Sequence, residues 1–365
     1  MFMKKVIFNK IPAFLAAVIV AALFSFASVS QAQSVGVNQP SNVEPQIIVT
    51  LADFEKTVSA SKTVKRSPVT FKNQNLKMAG LIFSPADMDE SKKYPAIVVV
   101  HPGGGIKEQT ASVYAYRLAQ QGYIAFAFDA SHQGASEGLP RQLEDPTKRV
   151  EDVRSAVDYV TTLPYVDRER IGALGICAGG GYAINATQTE RRIKAVATVS
   201  AVDFGEGVRR GWRADLPIAE RIKTLEGVAA QRTAEANGGA SLLVNYVPDT
   251  VEGVTEPDMV EASDYYRLPN RWLHKNSGNR FLNSSFDKLV AFTAFGQIDT
   301  LLTQPLLMIA GSNAGSKWQS ERAIKMASGQ KELFIVEGGT HMSLYDKDVV
   351  KAMPKITEFF GKILK

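Results

Sequence analysis

A single cysteine occurs in the stretch GALGICAGGGYA, residues 172–183, and its surroundings fit a covalent nucleophile. Gly175, Cys177 and Gly179 form the pattern G-x-nucleophile-x-G, after an apolar strand-like run and before a helix-compatible segment. Such a turn is so tight that the residues two before and two after the nucleophile must have almost no side chain. The pattern predicts that Cys177 attacks a substrate carbon. The alternative is a small buried apolar residue without a chemical role.

A cysteine at the start of a helix would lie where the partial positive charge of the helix terminus favours the thiolate. The thiolate is the reactive form of cysteine, and a neighbouring imidazole can take the thiol proton. The chain has four candidates for such a base: His101, His132, His274 and His341. Cysteine–histidine chemistry on an acyl substrate is therefore the hypothesis that the rest of the sequence must support.

The elements that would carry these residues alternate along the chain. Apolar runs suited to strands occur at residues 68–71, 76–83, 96–102, 123–130, 170–177, 193–201, 305–312 and 332–339. The later runs are continuously apolar, as in strands buried on both faces. Between them, Val150, Val153, Val157 and Val160 form one helical stripe, and a final helix is predicted with Pro354 in its first turn. This alternation predicts an α/β fold with a mostly parallel central sheet and helices on both faces.

One long interval interrupts the alternation. Roughly 100 residues separate the strand ending near residue 201 from the strand starting at residue 305, far more than a crossover helix needs. Helical patterns and clustered aromatic residues in this interval predict a mostly helical cap over about residues 204–303, beside the carboxyl edge of the sheet. The alternative is extra packing with no role in substrate choice. Residues 33–67 are polar and weakly patterned, which predicts a linker before a domain at 68–365.

Over about residues 68–365 the chain resembles the α/β-hydrolase superfamily. The resemblance rests on four segments in a fixed order: HPGGG, FDASHQG, GICAGGGYA and GGTHMSLYD. The cysteine turn looks like that of the dienelactone hydrolases rather than the more common serine form, and the four segments also resemble a group of poorly characterised bacterial α/β-hydrolases. The resemblance implies the α/β-hydrolase fold with a helical cap insertion.

The resemblance also assigns the other catalytic parts. In this superfamily the histidine follows the last strand and precedes the final helix, which is the position of His341 in ELFIVEGGTHMSLYD. The glycine-rich segment after the strand AIVVV corresponds to the oxyanion loop. One backbone N–H donor is expected from Gly103 or Gly104, and the other from Ala178.

The remaining histidines are expected to have lesser roles. His101 opens the oxyanion loop and is best explained structurally. His132 follows an earlier strand and is expected to shape a pocket wall, whereas His274 lies among polar residues of the insertion and is expected to be solvated.

The residue that orients His341 is left open by the sequence. The superfamily usually places an acid after the strand PLLMIAGS, yet no carboxylate occurs between residues 305 and 318. Asp203, just after the preceding strand, is slightly favoured, and Asn313 is the alternative, as in a Cys-His-Asn arrangement.

The amino terminus has the composition of an export signal. MFMKK precedes an apolar run at residues 11–28, and small residues precede a cleavage point after Ala32, as in a secretory signal peptide at 1–32. An uncleaved membrane anchor is the alternative. Cleavage removes three lysines and no acid, so the formal charge falls from +5 to +2. No basic block remains, and neither a nucleic-acid partner nor a stable membrane span is expected after cleavage.

The sequence therefore predicts a periplasmic or secreted hydrolase. It would cleave the ester, lactone or thioester bond of a small acyl substrate through an acyl-enzyme on Cys177, with no metal or organic cofactor. One alternative is a peptidase or acyl-amide hydrolase, with the insertion as a peptide-binding cap. Another is a hydrolase scaffold that only binds a ligand, which the missing acid suggests. The sequence does not indicate the oligomeric state.

Overall fold

A sheet of eight strands forms the centre of residues 46–364, the part of the chain that a computed structural model describes. The predicted signal peptide and the first part of the predicted linker lie outside the described residues. In chain order the strands of this sheet are β1 (Val64–Asn73), β2 (Leu76–Pro85), β3 (Tyr94–Val100), β4 (Ile124–Phe128), β5 (Val166–Ile176), β6 (Ile193–Val199), β9 (Leu306–Gly311) and β10 (Lys331–Val336). All eight strands predicted from apolar runs are confirmed.

The strands are arranged in the order β1-β2-β4-β3-β5-β6-β9-β10. Neighbouring strands from β4 to β10 are parallel, whereas β2 is antiparallel to both β1 and β4. One strand of the eight therefore runs against the rest, as expected for a mostly parallel sheet. The carboxyl ends of β3, β5, β6 and β10 consequently share one edge, and this edge carries the candidate site.

Helices cover both faces of the sheet. They are α1 (Leu51–Ala60), α2 (Ser112–Gln120), α3 (Pro146–Thr162), α4 (Ala178–Thr189), α5 (Phe204–Arg210), α6 (Ile218–Ala236), α7 (Pro257–Arg267), α8 (Phe286–Ala291), α9 (Lys317–Met326) and α10 (Val349–Ile363). Short helical turns occupy Lys107–Ala111, Asn283–Ser285 and Ser343–Tyr345.

The sheet is buried on both sides because its central strands are apolar at every position. In β3, Ile97 and Val99 pack with α1, α2 and α10, whereas Val98 and Val100 pack with α3, α4 and α9. The predicted valine stripe of α3 lies within the second of these cores. Burial of apolar surface stabilises such a layer by about 25 cal/mol per Å², so the two cores hold the strand ends at fixed positions.

Part of the segment predicted as a linker is folded instead. Residues 51–60 form α1 and β1 starts at Val64, so the linker prediction for 33–67 is wrong over these residues. The side chain of Thr50 caps α1 by accepting a hydrogen bond from the Asp53 N–H at 3.0 Å. Phe54 and Val58, one helical turn apart, are both buried. This pair of apolar residues was the signal for a packed helix among polar neighbours.

The final helix begins earlier than predicted. Helix α10 starts at Val349, so Pro354 lies in its second turn rather than its first. A proline there removes one backbone donor, but the buried side chains of Val349, Met353 and Ile356 continue the apolar stripe across it. Packing of this stripe on the sheet outweighs the missing hydrogen bond.

The long interval between β6 and β9 forms the cap. It contains α5 to α8 and a small antiparallel pair made of β7 (Leu243–Asn245) and β8 (Arg280–Leu282). Helices supply most of its regular secondary structure, as predicted, although the sequence did not predict the two short strands. No helix within residues 46–364 is long and apolar enough to cross a membrane.

Candidate active site

Cys177 stands at a sharp turn between β5 and α4. Its backbone has φ 53° and ψ −124°, a left-handed conformation that is strained for a residue with a side chain. The Cys177 N–H donates to the Val199 carbonyl at 3.0 Å, and the Cys177 carbonyl accepts from the Val202 N–H at 2.9 Å. The neighbouring strand β6 and the residues after it thus hold the strained residue in place.

The glycines around Cys177 are required by close backbone contacts. A methyl group added at Gly175 would lie 2.3 Å from the Gly179 carbonyl oxygen, and one added at Gly179 would lie 2.3 Å from the Val100 carbonyl oxygen. Both distances are far below van der Waals contact, so no side chain fits at either position. The steric argument made from the sequence therefore holds for both glycines.

Two backbone N–H groups point at the Cys177 sulfur. They belong to Gly103, in the loop after β3, and to Ala178, the first residue of α4. Of the alternatives Gly103 and Gly104, the structure thus places the N–H of Gly103 beside Ala178 at the sulfur. For Gly104, φ is +69°, and its carbonyl accepts a hydrogen bond from the Ser277 hydroxyl at 2.9 Å. Gly104 shapes the loop, and Gly103 supplies the donor.

Burial determines the charge state of the thiol. Desolvation raises the pKa of Cys177, and hydrogen bonds from the Tyr345 hydroxyl and from the Ala178 and Gly103 N–H groups offset this only in part. The N–H of Ala178 at the helix terminus favours the thiolate, as expected, but burial outweighs it and the pKa of the thiol is raised. Part of the Cys177 surface stays accessible because it faces a cavity.

His341 lies in the loop between β10 and the turn Ser343–Tyr345, as the resemblance implied. Its Nδ1 is 2.7 Å from the Ser316 hydroxyl, and its Nε2 is 3.2 Å from the Tyr345 hydroxyl. The ring packs edge-on against Trp212, with 4.8 Å between the ring centres. Burial lowers the pKa of His341 to about 4, although the nearby charge of Asp258 opposes this shift. The imidazole is therefore neutral near pH 7.

Cys177 and His341 line the same cavity, and the Tyr345 hydroxyl connects them. This hydroxyl hydrogen-bonds to the Cys177 sulfur as well as to the His341 ring. Within the described chain no direct hydrogen bond joins the sulfur to the imidazole. Tyr345 was not singled out from the sequence, although it stands only four residues after His341.

Neither residue nominated to orient His341 touches its ring. The carboxylate of Asp203 caps α5 by accepting from the Glu206 N–H at 3.1 Å, and its other oxygen accepts from the Ala294 N–H at 2.8 Å. Asn313 is exposed at the end of a turn after β9. The structure instead places Ser316, three residues further along this turn, at Nδ1.

A buried carboxylate from the cap lies near the imidazole. Asp258, in the first turn of α7, accepts from the His341 N–H at 3.2 Å, the Gly315 N–H at 2.7 Å and the Trp212 indole N–H at 2.8 Å. Asp258 therefore holds three parts of the site in place: the loop that carries His341, the turn that carries Ser316, and Trp212, which packs against the imidazole ring. No local pattern pointed to Asp258, because it precedes His341 by 83 residues within the insertion.

A buried ion pair lies beneath the oxyanion loop. Arg149 of α3 donates to the His101 carbonyl at 2.9 Å, and its Nε lies 3.8 Å from the carboxylate of Glu144. Glu144 also accepts hydrogen bonds of 2.6 Å from the hydroxyls of Tyr182 and Tyr246. Tyr182 belongs to α4 and Tyr246 to the cap, so this one carboxylate joins three parts of the site.

Tyr246 also packs on the oxyanion loop itself. A methyl group added at Gly103 would lie 3.1 Å from its ring, and one added at Gly104 would lie 2.6 Å from it. The loop can approach the ring this closely because glycine has no side chain. The cap therefore contacts the oxyanion loop through the Tyr246 ring as well as through Ser277.

The other histidines lie outside this arrangement. His101 is fully buried and structural, as expected: its Nε2 accepts from the Ala130 N–H at 3.0 Å. His132 does not line the cavity, contrary to the prediction, because its Nδ1 is held by the Pro140 carbonyl at 2.9 Å. His274 is half-buried rather than solvated and also lies away from the cavity. Among the described residues, no cluster of three or more His, Cys, Asp or Glu could hold a metal ion.

The cavity beside Cys177 has a volume of about 190 Å³ and is lined mainly by residues of the cap. Its lining is predominantly apolar, with side chains contributed by Val202, Phe204, Val208, Met259, Ala262 and Met342. None of the described residues that line it is a lysine or arginine. The predicted cap thus forms the wall of the cavity into which the sulfur faces.

Comparisons with known proteins agree with this architecture. Residues 78–208 match the dienelactone hydrolase family. The uncharacterised protein YcjY of Escherichia coli K12 is 41% identical over 302 residues, which cover 81% of this chain and 98% of YcjY. The crystal structure of the hypothetical protein PA2218 from Pseudomonas aeruginosa is 33% identical, with a TM-score of 0.79 over 87% of this chain and 99% of PA2218.

A relative with a named activity is more distant. The thiohydrolase aneE of Aspergillus aculeatus is 32% identical over 219 residues, which cover 59% of this chain and 68% of aneE. Together with the sheet order and the turn at Cys177, these matches place the protein in one family. The chain belongs to the α/β-hydrolase superfamily, in the family of YcjY and PA2218, and is a hydrolase.

Proposed function

We propose that this hydrolase cleaves an ester or thioester of an uncharged acyl group, with Cys177 as the nucleophile. The observation that carries the proposal is the convergence of two backbone N–H groups, from Gly103 and Ala178, on a sulfur that shares its cavity with a neutral imidazole. Such donors stabilise the negative charge that develops on a carbonyl oxygen under nucleophilic attack. The arrangement therefore fits acyl transfer to sulfur.

Acylation begins when the Cys177 thiol loses its proton to His341 and the sulfur bonds to the substrate carbonyl carbon. The N–H groups of Gly103 and Ala178 hold the oxyanion, and each such donor generally contributes about 3 kcal/mol to the transition state. The tetrahedral intermediate collapses, the bond to the leaving alcohol or thiol breaks, and that group takes the proton from His341. The acyl group is then held as a thioester of Cys177.

In deacylation, water is the nucleophile and the Cys177 sulfur is the leaving group. His341 removes a proton from water, the resulting hydroxide attacks the thioester carbonyl, and the oxyanion again lies at the two backbone donors. Collapse releases the carboxylic acid, and the sulfur regains its proton from the imidazolium. A histidine that is neutral in the resting enzyme is the form required for both proton removals.

Ser316 supports this role by selecting the tautomer of His341. If Nδ1 carries the proton and donates to the Ser316 hydroxyl, Nε2 keeps its lone pair and can accept a proton. A serine cannot neutralise the imidazolium that forms, but the buried carboxylate of Asp258 supplies negative charge nearby. Orientation and charge compensation thus come from two residues rather than from one acid.

We expect replacement of Ser316 by alanine to lower kcat/KM about tenfold, because the loss of one hydrogen bond to the base costs about 1 to 1.5 kcal/mol. The matched control is Asn313→Ala, which changes the exposed residue that the sequence nominated for the same role. Steady-state kinetics on a chromogenic ester measures both. Equal rates for Ser316→Ala and the wild-type enzyme, or a tenfold loss in Asn313→Ala, would contradict the assignment.

The cavity supports an uncharged acyl group of medium size. Its lining is predominantly apolar, and its volume is about 190 Å³. An apolar cavity of about 150 Å³ is large enough to hold benzene. The charged side chain at the cavity, Asp258, has both oxygens occupied by N–H donors and would repel a substrate carboxylate. The likeness to the thiohydrolase aneE supports a thioester as the bond cleaved.

A substrate panel tests the proposal directly. The mature protein is expected to hydrolyse butyryl and benzoyl esters and thioesters at least about 10-fold faster than succinyl monoesters, since an unpaired buried charge is costly. Cys177→Ala should lose at least about 10³-fold in kcat because no acyl-enzyme can form. Circular dichroism checks that this variant is folded. Unchanged turnover in Cys177→Ala, or a preference for the succinyl esters, would refute the proposal.

The pH dependence follows from the shifted pKa values. His341 acts as a base only when it is unprotonated, so activity is lost as the pH falls through its folded pKa of about 4 rather than through its ordinary 6.5. We therefore expect kcat/KM to stay nearly constant between about pH 5.5 and 8. Measuring kcat/KM across this range, with circular dichroism at each pH, checks this. A half-loss of activity near pH 6.5 would be inconsistent with a buried base.

We also propose that the protein is exported and that its signal peptide is removed after Ala32. The charged start, the apolar run at 11–28 and the small residues before Ala32 support this. Cell fractionation followed by intact-mass measurement is expected to find a chain beginning at Gln33 outside the cytoplasm. A full-length chain confined to the cytoplasm would overturn the proposal.

A further inference from the structure

Tyr345 occupies the position that joins the nucleophile to the base. It ends the short turn Ser343–Tyr345, is fully buried, and lines the cavity with Cys177 and His341. Its hydroxyl lies 3.2 Å from Nε2 of His341 and hydrogen-bonds to the sulfur of Cys177. A phenol can donate one hydrogen bond while accepting another. In the resting site this hydroxyl donates to the sulfur. Once its hydrogen turns toward Nε2, the same oxygen can accept from the thiol while it donates to the imidazole.

We propose, on the basis of the function proposed above, that Tyr345 is a catalytic residue that relays the thiol proton from Cys177 to Nε2 of His341. The S–H bond breaks as its proton passes to the Tyr345 oxygen, and the phenolic O–H bond breaks as its proton passes to Nε2. The products are a thiolate and an imidazolium, and the phenol is regenerated with a different proton. No oxidant or further reactant is needed.

The charge states of the three groups suit such a relay. Burial raises the pKa of Tyr345 well above 10, so the phenol remains a neutral donor rather than an anion. Burial also keeps the thiol protonated and the imidazole unprotonated in the resting site. A proton relay requires this starting state, in which the thiol, the phenol and the imidazole are all uncharged.

The surroundings of Tyr345 hold the phenol in this position. Its ring packs edge-on against the rings of Tyr265 and Tyr266, with 5.4 Å and 6.5 Å between the ring centres. The turn that carries it is anchored by the Tyr114 hydroxyl, which donates to the Leu344 carbonyl at 2.7 Å. Because the ring is confined on several sides, the hydroxyl stays between sulfur and imidazole.

The test compares Tyr345→Phe with the wild-type enzyme in single-turnover acylation by a chromogenic butyryl ester, from about pH 6 to pH 10. The relay predicts that acylation by Tyr345→Phe at pH 7 is slower by about 10²-fold or more, the usual contribution of a positioned proton-transfer group. It also predicts that this rate rises tenfold per pH unit toward the wild-type rate, because hydroxide in solution then ionises the thiol without the relay.

A matched control is Tyr123→Phe. Tyr123 is also a buried tyrosine, but its hydroxyl finds no hydrogen-bond partner among residues 46–364. It belongs to the core that α2 and α10 form with the sheet and does not line the cavity. This variant is expected to acylate at the wild-type rate across the same pH range. Thermal unfolding monitored by circular dichroism shows whether both variants are folded.

Two results would overturn the relay: a Tyr345→Phe rate within threefold of wild type at pH 7, or a large loss that does not recover as the pH rises. If Tyr345→Phe does not fold, the relay is tested by measuring the acylation rate of the wild-type enzyme in mixtures of light and heavy water. If two protons move in the transition state, the acylation rate plotted against the deuterium fraction is curved. A linear plot would overturn the relay. Failure of the proposed function is distinguishable, because then Cys177→Ala would release the chromogenic alcohol as fast as the wild-type enzyme.

Discussion

The buried pair of Arg149 and Glu144 is the interaction on which the site depends. Two charges with almost no exposure are costly to bury, and they persist only where hydrogen bonds satisfy their remaining atoms. Here those hydrogen bonds go to the carbonyl of His101 at the head of the oxyanion loop, to Tyr182 in the helix after the nucleophile, and to Tyr246 in the cap. The electrostatic requirement of one ion pair thus sets the relative position of the three parts that surround the sulfur.

Burial of the site also sets the charge states of the nucleophile and the base. A low-dielectric site disfavours charge on both the thiol and the imidazole, so the pKa of Cys177 rises and that of His341 falls. The resting enzyme therefore stores no thiolate–imidazolium pair. In the proposed mechanism, charge separation occurs when substrate is present and its developing oxyanion meets the waiting N–H groups.

The parts of the site that were predictable from the sequence are those fixed by local backbone geometry or by chain order. The turn at Cys177 needs glycines at fixed positions, and continuous apolar runs identify buried strands, so both features were recognisable from the amino-acid sequence. His341 followed from its place after the last strand. Ser316, Asp258 and Tyr246 were not predictable, because their roles arise from contacts across the fold between segments with no local pattern.

The wrong predictions share a physical cause. Asp203 was nominated because it follows a strand at the correct edge, yet its carboxylate is used by the backbone of α5 and by Ala294. Helix α1 was missed because only Phe54 and Val58 of its ten residues are buried, which leaves a weak stripe. In both cases, tertiary contacts decided an outcome that local composition left open.

The contact between the cap and the oxyanion loop, through Tyr246 and Ser277, limits how this enzyme can diversify. In a modular design, a cap could be exchanged for another to accept a new acyl group while the catalytic centre stayed unchanged. In this protein a transplanted cap would have to bring its own phenol and hydroxyl at the same positions. Substitution of single side chains that line the cavity, by contrast, leaves this contact intact.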